Sequence, residues 1–137
     1  MLEFYYSFSF DDRMRLMLIS MIFLHIISDY ILQTDSIAKF KQKKNWEEYD
    51  TEEKYKNDYK VMLLVHAFSW AIITFLPILV EFKDVYRYII VVLGNTYMHA
   101  LIDDQKCNKY KINLVQDQIF HLMQIGIVFT ICIIAYY

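Results

Sequence analysis

Four histidines and three aspartates in this sequence recur at a spacing that suits metal chemistry. His25 and Asp29 read HxxxD, His99 and Asp103 read HxxxD, Asp117 and His121 read DxxxH, and His66 stands alone. A separation of four residues sets two side chains on one helix face, one turn apart. Imidazole and carboxylate together ligate zinc, iron, manganese or nickel, and a catalytic site keeps about three protein ligands with one position open for water. Seven groups suffice for one metal with supporting residues, or for two. A bound divalent cation would bring the pKa of its water toward about 7, and an aspartate left off the metal would take the proton. The expected metal ligands are therefore His25, Asp29, His66, His99, Asp103, Asp117 and His121, with Asp29, Asp103 and Asp117 doubling as catalytic carboxylates.

The elements that must position these groups are long apolar runs. Composition is 57% hydrophobic with two Gly and one Pro, which favours helices over sheets, and charge is crowded into residues 35–60 and 103–111. That alternation predicts membrane spans at about 14–34, 61–80, 86–103 and 114–136. The second, VMLLVHAFSWAIITFLPILV, has twenty residues, enough to cross about 30 Å at about 1.5 Å per residue. The expected architecture is all-α: an integral membrane four-helix bundle, antiparallel and up-down-up-down, with residues 1–137 as one transmembrane domain. An aspartate at mid-bilayer costs about 2.5–3.5 kcal/mol on insertion scales, so the polar groups are expected to compensate one another or bind a cation.

Chain direction then gathers them. His25 with Asp29 and His99 with Asp103 close the first and third spans, whereas His66 opens the second and Asp117 with His121 open the fourth. In alternating spans all seven fall in one leaflet, about 2 to about 14 Å from the nearest span end at helical rise. The reversed order in the fourth span keeps carboxylate nearer the surface than imidazole on three helices. Gln33 and Gln118 extend the polar stripes toward the loops, and Asn95 and Gln124 extend them inward. All four are expected to support ligands rather than bind metal. Gly94 and Gly126 are expected to permit close helix contact, and Asp104 reads as a loop charge.

The remaining chain bounds the setting. Phe4, Tyr5, Tyr6, Phe8 and Phe10 in residues 1–12 suggest an aromatic belt at the interface. No basic leader with a small-residue cleavage site is evident, so the first helix is expected to act as its own insertion signal. Residues 35–60 hold seven Lys and seven acids and read as a solvated, partly helical loop, a lid over the bilayer edge being the alternative. The net charge of −2 and the lack of a basic stripe argue against nucleic acid, and none is expected as a partner. Cys107 and Cys132 are too few for a disulfide framework. Loops 35–60 and 104–113 on the site side carry ten basic residues, against Arg13, Arg15, Lys83 and Arg87 on the other. The positive-inside rule places those loops in the cytoplasm and both termini outside a multi-pass protein of the inner or plasma membrane.

The motifs HxxxDYxLQT from His25, HALID from His99 and DQxxHL from Asp117, with a lone His in the second span, resemble a family of small bacterial and phage membrane proteins called domain of unknown function 3307. The likeness covers about residues 16–136 and implies a four-helix integral membrane protein, with no activity attached. The lysine-rich segment 39–60 is longer than that family's usual connector. The site is also similar in style to small membrane-bound metal-dependent hydrolases that hold His and Asp near one surface, an analogy only. The expected function is a hydrolase using zinc, with iron or manganese as alternatives, on a small-molecule or lipid-linked amide or phosphoester. The alternatives are a metal- or proton-coupled carrier, and a non-catalytic accessory whose polar layer locks the bundle. The lipid bilayer is the expected partner, and a homo-oligomer is compatible with the sequence.

Overall fold

Serine, threonine and aspartate residues at helix starts divide the chain into its elements. The computed structural model describes residues 2–49 and 54–136, and among these every regular element is helical. They are α1 (Leu2–Tyr6), α2 (Phe10–Tyr30), α3 (Asp35–Phe40), α4 (Lys43–Tyr49), α5 (Asp58–Phe82), α6 (Val85–Cys107) and α7 (Leu114–Tyr136). Ser9 caps α2 by accepting from the Asp12 N–H, and Asp11 and Asp12 in the first turn complement the helix dipole. The helix stops at Tyr30, short of the expected 34, because Thr34 starts a new one: its hydroxyl accepts from the Ile37 N–H. Gln33 thus lies in a bend rather than on the helical stripe of His25 and Asp29.

The expected tight turn after the second span is present. Lys83 adopts the left-handed conformation at φ 55°, and Asp84 caps α6 by accepting from the Arg87 N–H. Helix α6 continues past 103 to Cys107, so Asp104 is a helical residue, hydrogen-bonded by Asn108 and paired with Lys109 at 2.7 Å. The polar segment forms two short helices, α3 and α4; residues 50–53 of the expected loop lie outside the described residues.

The four long helices pack in a ring, α2 on α5, α5 on α6, α6 on α7 and α7 back on α2. Contacts at the two ends fix their alternating directions. Late residues of α2 and α6 meet early residues of α5 and α7 at one end, while at the other Arg13 meets Glu81 and Phe82 stacks on Tyr136 at 3.7 Å. Met14, Met17, Met21, Trp70, Phe75, Ile78 and Ile125 fill the centre. Each fully buried large apolar side chain contributes about 1.5–3 kcal/mol. The end away from the polar segment is tied by Glu81, which accepts from Tyr5 at 2.7 Å and pairs with Arg13 at 3.0 Å. Burial and that hydrogen bond push the Tyr5 phenol above its ordinary pKa.

Gly94 and Gly126 do not serve the expected close helix contacts: a Cβ built on either would meet nothing within 4 Å. Among the described residues, α5 and α7 are long and apolar enough to cross a membrane. Helices α2 and α6 are diluted by charged residues at both ends, and α6 also by Asn95 and His99 within it.

Candidate functional site

The polar groups of the four long helices meet at the end of the ring that carries α3 and α4. Asp103 is their hub, with a side chain 2% exposed. Its Oδ1 lies 3.4 Å from His121 Nε2 and 3.9 Å from His99 Nε2, and its Oδ2 lies 3.5 Å from His66 Nε2. His121 Nε2 is also 3.5 Å from Asp117 Oδ1, and His66 Nε2 is 3.7 Å from Asp29 Oδ1. Two trios have ligand atoms lying mutually within 4.8 Å: Asp29, His66 and His99, and His99, Asp103 and His121. With bonds of about 2.0–2.1 Å, a tetrahedral zinc spaces its ligand atoms about 3.4 Å apart. The separations around Asp103, 3.4 to 3.9 Å, equal or somewhat exceed that edge, so the donor set fits a metal in chemistry and comes near it in spacing.

Several of these atoms have no hydrogen-bond partner among the described residues. Both ring nitrogens of His99, both of His121, Asp29 Oδ1 and Asp117 Oδ1 are buried and unpartnered. Native proteins leave few buried polar atoms in that state, because each forfeits its hydration without compensation. Four of these atoms, His99 Nε2, His121 Nε2, Asp29 Oδ1 and Asp117 Oδ1, lie 3.4–3.9 Å from another group of the cluster.

His25 stands differently. Trp70 Nε1 donates to its Nδ1 at 2.8 Å, and its Nε2 faces Gln118 Oε1 at 3.2 Å. Indole nitrogen is a donor only, so Nδ1 accepts and the proton sits on Nε2, directed at the amide oxygen. With both nitrogens engaged, His25 buttresses the cluster. Gln118 in turn donates to Asp29 at 3.3 Å and to Asp117 at 3.2 Å, joining carboxylates of α2 and α7. Deeper in the ring, Gln124 donates to Asn95 Oδ1 at 2.7 Å and to the Asn95 carbonyl at 3.0 Å. That pair clamps α6 to α7 below the cluster. Gln33 keeps a buried amide nitrogen without a partner, off the end of α2.

Three contributors were not foreseen from the sequence. Trp70 floors the site, stacking on His99 at 4.2 Å, while His99 stacks on His121 at 4.0 Å. Its position four residues after His66 on one helix is a signal that could have found it. Lys41, just past α3, is buried with Nζ 2.6 Å from Asp103 Oδ2. Lys106 donates to Asp117 Oδ2 and lies 3.8 Å from Asp103 Oδ1. Burial alone would lower the Lys106 pKa; Asp103 and Asp117 reverse that and hold it above the ordinary lysine value. Lys106 follows Asp103 by three residues and so shares its face, whereas nothing local in the sequence ties Lys41 to the site.

The fold and site together define the class: an all-helical protein whose four long helices gather His, Asp and Lys at one end. The chain belongs to the family described as protein of unknown function (DUF3307), whose family model matches residues 17–136. Neither the curated proteins nor the solved structures yield a match.

Proposed function

We propose that this protein is a membrane-embedded, metal-dependent hydrolase whose site opens toward the cytoplasm. His99, Asp103 and His121 would hold the metal, zinc first and iron or manganese as alternatives. Their convergence with unpartnered nitrogens is the observation that carries the reading. His66 and Asp29 border the position left for water. A metal held there would supply a more acidic water, and Asp29 is placed to take a proton and return it to the leaving oxygen or nitrogen. Asp117, held by Lys106 and Gln118, orients His121.

The membrane setting is part of the proposal. Beyond α5 and α7, helices α2 and α6 also expose large apolar residues, Ile19 and Phe23 on one, Ile90 and Leu93 on the other. Contiguous apolar surface of that extent suits lipid better than water. Four crossings, with both termini outside, then follow from the basic residues of the site-side segments.

A second reading has its own support. Lys41 and Lys106 already supply countercharges for Asp103 and Asp117, as expected of a polar layer that merely locks the bundle. The unpartnered imidazoles weigh against it, since a finished structural layer satisfies its members. A carrier is disfavoured by Trp70, Phe75, Ile78 and Met21, which fill the centre beneath the cluster. Elemental analysis after metal-sparing purification tests the proposal. About one transition metal per chain is expected, vanishing in His99→Ala; a metal-free wild-type protein would retire the hydrolase in favour of the structural layer.

A further inference from the structure

Two lysines inserted among metal-ligating groups need a reason that a metal alone does not give. Lys41 comes from the polar segment outside the ring, yet its side chain is 7% exposed and its ammonium reaches Asp103. Lys106 comes from the last turn of α6 and lies between Asp103 and Asp117. The two ammonium groups therefore flank one carboxylate, the same one that faces His66, His99 and His121.

We infer that the site binds a phosphate-type oxyanion, the phosphoryl group of an ester, and that Lys41 and Lys106 are its protein contacts. The inference rests on the hydrolase reading and names its substrate class. Three carboxylates against two ammonium groups leave one net negative charge when the imidazoles are neutral. A divalent metal on Asp103 turns that into one net positive charge. It would also compete with the Lys41 ammonium for that carboxylate, because like charges so close repel in a desolvated site. Lys41 would then be left beside the metal without its carboxylate, while Lys106 would keep Asp117 and have further donors free to share. A phosphoryl group restores the balance, lending oxygens to the metal and to both ammonium groups. Lysine suits this task as a compact point charge with movable donors. A neutral amide brings no charge to the site in its ground state, so it would draw less on these two residues than a phosphoryl group does.

The test is titration of inorganic phosphate into the purified, zinc-loaded full chain in detergent, read by calorimetry. Zinc content of each variant is measured in parallel. Saturable binding is expected, weakened about 10-fold or more in Lys41→Gln and in Lys106→Gln, as for loss of a hydrogen bond to a charged group. Lys41→Arg should stay within a few-fold of wild type, which separates lost charge from lost folding. Lys109→Gln, at an exposed lysine paired with Asp104, should bind as wild type. Zinc bound with no saturable phosphate binding, or equal weakening by Lys109→Gln, overturns the inference and leaves the hydrolase standing. Absence of bound zinc overturns both.

Discussion

Replacing Asp103 by Asn in the metal-free protein should destabilise it far more than a surface substitution does. The change keeps the shape of the side chain and removes its charge. Lys41 is then left with its ammonium buried and its partner gone, the side chains of that pair being 7% and 2% exposed. Breaking a buried ion pair at one end costs about 3–5 kcal/mol, much of it the isolation of the remaining charge. Lys106 adds less, because it is 24% exposed and keeps Asp117. For a chain of this size about 1 kcal/mol corresponds to roughly 4 °C. The expected drop in Tm is therefore about 12–20 °C, followed by helical circular dichroism in detergent with a chelator present.

A double variant separates the pair from general damage. Lys41→Met keeps most of the aliphatic stem while removing the ammonium. Combined with Asp103→Asn it should recover at least half of the lost stability, since no unpaired charge remains. A single Asn variant within about 4 °C of wild type would place the pair in the range of exposed salt bridges and refute the burial argument. A double variant no more stable than the single one would refute the pairing itself.

Three further outcomes are expected. Gln118→Leu removes the amide that joins His25, Asp29 and Asp117, and zinc affinity measured by competition with a chromogenic chelator should fall about 10- to 100-fold; an unchanged affinity would show that the carboxylates need no such brace. Gly94→Ala should raise stability by about 0.5–1 kcal/mol, because the position is helical and a Cβ there meets nothing within 4 Å. A destabilised Gly94→Ala would instead reveal a surface in use. Glu81→Gln, at the far end of the ring, should lower Tm by breaking the contacts to Arg13 and Tyr5 while leaving zinc content at the wild-type value. Loss of zinc in that variant would mean that the two ends of the ring are coupled.

What could be read from the sequence followed from periodicity and direction. His25 with Asp29, His99 with Asp103 and Asp117 with His121 each needed only a spacing of four, and alternating helices then brought them to one end. The same rules did not say how each helix is rotated about its axis. Gly94 precedes Asn95, and successive residues turn by about 100°. Because Asn95 faces Gln124 across the α6–α7 contact, Gly94 faces away from it, and its small size says nothing about packing there. His25 likewise shares a stripe with Asp29, yet its ring nitrogens were settled by Trp70 on another helix and Gln118 on a third.

Lys41 marks the deeper limit. In a segment crowded with lysines and acids, each charge reads locally as solvated, and the composition of residues 35–60 does not distinguish the one that turns inward. What selects Lys41 is the break after Tyr30, where Thr34 caps a new short helix and swings the chain back over the ring. The cap is visible in the residues; the lysine it delivers, 62 positions from its aspartate, is not. A ligand-bearing layer assembled from local pairs is therefore legible in a single chain. The Lys41 countercharge beside that layer arrives through tertiary structure, and so it follows from the fold rather than from the motif.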